Sequence, residues 1–278
     1  MSQRPSGGST ALLDPAVESA EPSFATVTEL PGSGATREQL AMAYARYGLA
    51  RQLAAGKDVL EVACGSGMGL GYLARKARRV VGGDLDPSLI EIARRHYGDR
   101  IEVRQLDAAA LPFPDGSFDV VLLLEAIYYL PRPEAFAAEA RRVLREGGAL
   151  VICSANREWP GFNPSPFSRR YFSLRELGAL LQEAGFQPEL LQGFPVQRAG
   201  IKSQLLGLVR RMAVRFHLIP KTMDGKEGLK RLFYGKLEPF PAELPERDAE
   251  PPPLVPYAGE GPVTEYKVLY AAGQLGGK

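Results

Sequence analysis

The feature that most limits how this chain can fold is an alternation: apolar runs of strand length take turns with segments of helical period. DVLEVAC (58–64), RVVGGDL (79–85), IEVRQLD (101–107), FDVVLLLEA (118–126) and GALVICS (148–154) are near-continuous apolar runs. Strands covered on both faces read this way, whereas half-exposed strands alternate with polar residues. The segments between them carry helix signals. MGLGYLARKA follows the first run. Asp86 reads as an N-cap with Pro87 at the first helical position, opening a helix through about His96. A helix from Pro133 to Leu144 is expected to close at the Gly147-Gly148 pair, and Ser173 with Glu176 has capping-box spacing for a helix ending at Gly185. Thr36 and Gln39 form an earlier capping box, followed by Leu40, Tyr44, Tyr47 and Ala54 on one face. Such a pattern predicts an α/β fold, a doubly wound parallel sheet with helices on both faces. Two last strand-like runs, PELLQGF (188–194) and TEYKVLYAAG (264–273), are too far apart for a simple loop, so residues 200–260 read as an insertion.

Composition removes several classes. No stretch of the 278 residues approaches the roughly 20 consecutive apolar residues of a membrane-spanning helix. Cys64 and Cys153 lie far apart in apolar runs, and His96 and His217 stand alone, so neither a disulfide framework nor a metal cluster is expected, and the expected compartment is the cytoplasm. A net charge of +2 carries no footprint of nucleic-acid binding. Residues 1–23, rich in Ser, Gly, Pro, Ala and Glu, are expected to be disordered ahead of a domain over 24–278.

Ligands of open parallel sheets sit at the carboxyl ends of the strands, and here those ends form a set. Glu61-Val62-Ala63-Cys64-Gly65-Ser66-Gly67 is a glycine turn into a helix, where backbone N–H groups are free to meet an anion. The dinucleotide pattern would need glycine at position 70, which is Leu70, and the Lys-Ser/Thr pair of a phosphate loop is missing. Glu61 suits an amino group better than a pyrophosphate. Asp84 ends the second run, where a carboxylate can accept both hydroxyls of a ribose. Asp107-Ala108 ends the third and offers an acceptor and an N–H to an adenine edge; Glu125 ends the fourth. Asp86 is sufficiently explained by its capping role.

VLEVACGSGMG, VVGGDLDPSLIEIA, Asp107-Ala108 and LPFPDGSFDVVLLLEAIYYLPRPEAFAAEARRVLREGGALVI together resemble class I S-adenosylmethionine-dependent methyltransferases of the small-molecule branch. The resemblance covers a core of residues 57–195 and 264–273. It implies a Rossmann-like sheet of seven strands with the last antiparallel, and S-adenosylmethionine as cofactor. It implies that Glu61, Ala63, Gly65 and Gly67 line the methionine portion, Asp84 and Leu85 the ribose, Asp107 and Ala108 the adenine, and Glu125 the amino-acid end. Ala63 stands where the family often has glycine, and an ordinary backbone angle is expected there. The long basic insertion before the last strand resembles methyltransferases associated with bacterial polysaccharide and glycolipid assembly.

Methyl transfer from a sulfonium needs a nucleophile held in line and, for an oxygen acceptor, a general base. The residues nearest the site are Tyr128, Tyr129 and Glu125, although packing explains the tyrosines better and cofactor binding explains Glu125 better, and none is assigned as the base. Arg37, Tyr44 and Tyr47 of the first helix are candidates to cover the site or meet the cofactor carboxylate, with plain helix packing the favoured reading of any one of them. NREWPGFNPSPFSRRYF (156–172) brings aromatic faces and arginines beside it. Between Arg198 and Lys236 ten Lys or Arg stand against Asp224 and Glu227, so residues 201–236 read as a lid over an anionic substrate, a membrane-surface contact, or a packed helix with a wet basic face. The acidic, proline-rich stretch 238–262 reads as an extended wrap back to the last strand. The first expected acceptor is a sugar hydroxyl on a lipid- or nucleotide-linked precursor. The alternatives are a quinone- or polyketide-like ring, or a module that binds the cofactor without catalysis.

Overall fold

A computed structural model describes residues 23–196, 237–246 and 253–276. The expectations for residues 1–22 and for the basic stretch 198–236 lie outside these. Ten strands are described: β1 (Gly34–Ala35), β2 (Asp58–Val62), β3 (Arg79–Asp84), β4 (Glu102–Gln105), β5 (Phe118–Leu124), β6 (Leu144–Ala155), β7 (Phe186–Pro195), β8 (Glu238–Pro239), β9 (Val255–Pro256) and β10 (Tyr266–Leu275). The α-helices are α1 (Arg37–Ala54), α2 (Leu70–Ala74), α3 (Pro87–Tyr97), α4 (Pro133–Val143) and α5 (Leu174–Glu183).

The main sheet has the order β4-β3-β2-β5-β6-β10-β7-β9. β2 to β6 pair in parallel, and β10 inserts antiparallel between β6 and β7. Seven strands were expected and eight are found. The eighth, β9, belongs to the proline-rich wrap and pairs with Leu191 and Gln192 of β7. It is two residues long, as suits an edge segment whose prolines cannot donate to a ladder.

The continuous apolar runs are explained by burial on both faces. Val120, Leu122 and Leu124 of β5 pack with Leu40 and Tyr44 of α1, Leu70 of α2 and Ile90 of α3. Val121 and Leu123 pack with Phe136 of α4 and Leu177 of α5 on the other face. The capping signals hold at three helices. Thr36 and Gln39 form a reciprocal box, as do Ser173 and Glu176, and Asp86 accepts from the Ser88 N–H ahead of Pro87.

Two boundaries differ from the sequence reading. α2 is only Leu70–Ala74, because the glycine turn occupies the residues before it. α4 stops at Val143, ahead of the glycine pair: Leu144 already pairs with Phe118, and the next matched pair is Ala149 with Val120. Gly147 (φ 71°) and Gly148 serve this irregular entry into β6, not a helix stop. A Cβ on Gly148 would lie 2.8 Å from the Arg145 carbonyl oxygen.

Residues 238–246 form a strap beneath α1 and α2. β8 pairs with β1, Phe240 and Leu244 are buried, and the Leu244 N–H donates to the Met68 carbonyl. Its acids meet arginines of the domain: Glu238 with Arg37, Glu243 with Arg75, and Glu246 with Arg51.

Candidate active site

The carboxyl ends of the parallel strands open into a cavity of about 1030 Å³. Glu61, Ala63, Gly65, Asp84, Leu85, Asp107, Ala108, Glu125 and Tyr128, all singled out in the sequence, border it. Gly67 does not. Its carbonyl accepts from the buried Tyr97 hydroxyl at 2.7 Å, and its φ of 83° with Tyr97 and Ala93 against it makes it a hinge of the turn.

Ala63 departs from expectation. Its φ is 56°, the left-handed region, where an L-residue other than glycine is strained. Glu125 has a φ of 57°. These residues follow β2 and β5, which neighbour each other in the sheet. The strand order reverses at this point, the place where α/β sheets take ligands.

Glu61 is buried; the Tyr47 hydroxyl donates to its Oε1 at 2.6 Å, while Oε2 has no partner. Burial pushes its carboxyl up to about 7, against the pull of the Tyr47 hydrogen bond and of Arg46. A buried carboxylate oxygen without a donor, at a cavity wall, fits an ammonium group. Asp84 is also buried, and burial raises its pKa although the Asp86 and Gly65 N–H groups donate to it. Each of its oxygens keeps capacity for a further donor. Asp107 is exposed and accepts from the Ala109 N–H at 2.8 Å. Leu85, 48% exposed, borders the same cavity and presents an apolar surface suited to a planar base.

Arg46 was not singled out in the sequence, yet it borders the cavity and pairs with Glu29 at 2.7 Å. Burial works against its charge, and Glu29, Tyr47 and Glu125 outweigh that and hold it protonated. Of the residues expected on this helix, only Tyr47 reaches the site. Arg37 is exposed and pairs with Glu238; Tyr44 donates to the Pro245 carbonyl. Glu29 belongs to a segment, Phe24 to Glu29, that also closes the cavity, and nothing in its composition signalled this.

Glu125 is partly buried and faces the cavity. The Tyr128 hydroxyl donates to its Oε2 at 3.1 Å, and the Cys153 thiol lies 3.5 Å from Oε1. Burial raises its pKa, with Arg46 opposing. Burial also pushes the Tyr128 hydroxyl well up, so it remains a donor at neutral pH and cannot serve as a base. The loop after β6 supplies Trp159, Phe162, Phe167 and Arg169. Tyr171 of this loop stacks on Tyr128 with centroids 4.4 Å apart, while Arg157 and Arg170 turn away to Glu176. Phe24 packs edge-on to Tyr129 and Phe167.

Residues 60–152 match the family described as "Methyltransferase domain". A probable S-adenosylmethionine-dependent methyltransferase of Mycolicibacterium smegmatis is 40% identical over 139 residues, 49% of this chain and 54% of that protein. A fatty-acid O-methyltransferase of the same organism is 45% identical over 103 residues, 36% of this chain and 38% of that protein. A demethylmenaquinone methyltransferase of Tropheryma whipplei is 35% identical over 118 residues, 42% of this chain and 48% of that protein. The chain spans about half the length of the curated relatives it matches. Among solved structures, a SAM-dependent methyltransferase from Archaeoglobus fulgidus superposes with a TM-score of 0.54 at 16% identity, covering 86% of this chain and 94% of that one. The [4+2]-cyclase SpnF also reaches 0.54 at 16% identity, covering 90% and 89%. At that identity the likeness concerns the fold alone. The matched span is thus similar to the methyltransferase domain of proteins named for dependence on S-adenosylmethionine. The residues at its strand ends fit that cofactor: an orphaned carboxylate oxygen for an ammonium, a guanidinium for a carboxylate, and an apolar platform for a base.

Proposed function

We propose that this protein transfers a methyl group from S-adenosylmethionine to an apolar small molecule. The observation that carries this reading is the wall of the cavity beyond the cofactor residues. Phe24, Tyr128, Tyr129, Trp159, Phe162 and Phe167 line it, a surface that binds rings and hydrocarbon better than a polyol. Relatives named for fatty-acid and demethylmenaquinone methylation support the same class. The sugar-hydroxyl reading draws on residues 198–236, outside the described structure, and no described residue adds to it.

When bound, the cofactor supplies an electrophilic methyl group on a sulfonium. The rest is work for this chain. Asp84 accepts from ribose hydroxyls while its bonds to the Gly65 and Asp86 N–H groups hold it in place. Leu85, Asp107 and Ala108 hold the adenine, and Glu61 and Arg46 the ammonium and carboxylate of the amino-acid end. The aromatic wall excludes water and orients the acceptor, which is the main catalytic need of an in-line displacement.

The test is methyl-labelled S-adenosylmethionine added with purified protein to a fractionated bacterial extract. Label is expected in the apolar small-molecule fraction. Label confined to water-soluble sugars would overturn this reading, and no label with cofactor binding intact would favour a binding module. Asp84→Ala should abolish cofactor binding in titration calorimetry.

A further inference from the structure

S-adenosylmethionine carries three charged groups: a carboxylate, an ammonium and a sulfonium. The cavity offers Arg46 to the first, and the unpartnered Oε2 of buried Glu61 to the second. One half-buried carboxylate is left over. Glu125 borders the cavity with only neutral donors, the Tyr128 hydroxyl and the Cys153 thiol, and is in no ion pair among the described residues. Arg46 reaches it only through its field: its ion pair is with Glu29 at 2.7 Å, through one guanidinium nitrogen, and among the described residues it gives Glu125 no hydrogen bond. A carboxylate out of bulk water without a cation is unfavourable, and the cavity is the direction from which one can come.

The position of Glu125 in the sheet says which cation. The residues for ribose and adenine, Asp84, Asp107 and Ala108, follow β3 and β4 on one side of the strand-order reversal. Tyr128 and Tyr129, which follow β5, and Trp159, Phe162 and Phe167, which follow β6, lie on the other side. Glu61 is held within β2 by Tyr47, whereas Glu125 follows β5, between the nucleoside end and the acceptor end. The charged group that lies between those two ends of the ligand is the sulfonium.

We propose that Glu125 is the carboxylate this site sets against the positive charge on the donor's sulfur, so that the site distinguishes S-adenosylmethionine from the neutral S-adenosylhomocysteine it becomes. The inference rests on the cofactor assigned above. The donor and its product share the adenosine, ammonium and carboxylate, so the residues that hold those parts act on both ligands alike. Only a group that reads the charge on sulfur acts on one. Because the attraction ends when the methyl group leaves, Glu125 would favour release of the product.

The test is titration calorimetry of both ligands against wild type, Glu125→Gln and Glu61→Gln, with no acceptor present. Glu125→Gln keeps the side-chain shape and an acceptor for Tyr128. It is expected to weaken S-adenosylmethionine about tenfold and to leave S-adenosylhomocysteine within about twofold. Glu61→Gln is expected to weaken both alike. Glu125→Asn, a residue that tolerates the left-handed backbone at this position, should shift the ratio in the same direction and guards against a folding defect of the glutamine variant. Equal weakening of both ligands by Glu125→Gln, or no weakening of S-adenosylmethionine, overturns the proposal. Failure of the wild type to bind either ligand overturns the cofactor assignment and this inference with it, and is read before any variant is compared.

Discussion

Gly69 lacks a side chain because Tyr47 occupies the space one would need: a Cβ there would fall 1.8 Å from Tyr47 Cε1. Its φ of −94° is ordinary, so alanine is acceptable to the backbone and the clash falls on the ring. Gly69→Ala should therefore push Tyr47 off Glu61 without touching either polar group. A hydrogen bond to a charged group contributes about 1.5–3 kcal/mol, so cofactor affinity should fall about tenfold or more, read by calorimetry beside Tyr47→Phe. Unchanged affinity in both variants would remove Tyr47 from the site. Ala63 argues in the other direction. A non-glycine residue at φ 56° costs about 1 kcal/mol or more, so Ala63→Gly should raise stability by up to about 1 kcal/mol in urea unfolding, with cofactor binding kept. At this scale much of the candidate site was legible. Acids at strand ends and a glycine turn need only the strand pattern to be located. Arg46 was not legible, since its role depends on Glu29 folding back from a segment with no periodic signal. The left-handed angle at Ala63 is not legible either, because backbone torsion is set by the tight exit from β2, which residue type alone does not reveal.

At the scale of elements, the alternation of runs located every strand from β2 to β7 and the last strand β10, because burial on both faces writes itself into composition. Ends were less legible. Where α4 stops was decided by Leu144 pairing with Phe118, a long-range contact that overrides a local glycine signal. The acidic wrap was expected to run back to the last strand. What it does on the way, pairing β8 with β1 and seating Phe240 and Leu244 in the core beside α1 and α2, required the fold. Since this strap lies under the helix that carries Arg46 and Tyr47, it couples stability to the site. Leu244 is fully buried, and Leu244→Ala should cost about 2–5 kcal/mol by the usual penalty for a core truncation. Urea unfolding measures it. If the strap only decorates the surface, the loss will stay below about 1 kcal/mol.

For the whole molecule, the buried acids of the site make stability depend on pH in an unusual direction. Most carboxylates of a folded protein stabilise it when ionised. Asp58, held at about 2 by Arg78 despite some burial and helped by Arg145, contributes stability above its unfolded value of 3.8 that is lost as pH falls towards 2. Glu61 has the opposite sign. Burial raises it from 4.5 to about 7, so the folded state binds its proton more tightly than the unfolded chain does. The stabilisation is complete below about pH 4.5 and is lost as pH rises through 7, with a ceiling of about 3 kcal/mol. Glu125 and Asp84, also raised mainly by burial, add to the same slope. The ligand-free protein should therefore lose stability between pH 5 and 8, and Glu61→Gln, which has no proton to lose, should lose distinctly less. A cation bound against Glu61 favours its ionised form, so saturating S-adenosylmethionine should flatten the wild-type slope towards that of the variant. Thermal unfolding across that range, with and without the cofactor, measures all three. Parallel slopes for wild type and variant would mean that Glu61 is ionised in the ligand-free fold, and its free oxygen would then need a partner other than an incoming ammonium.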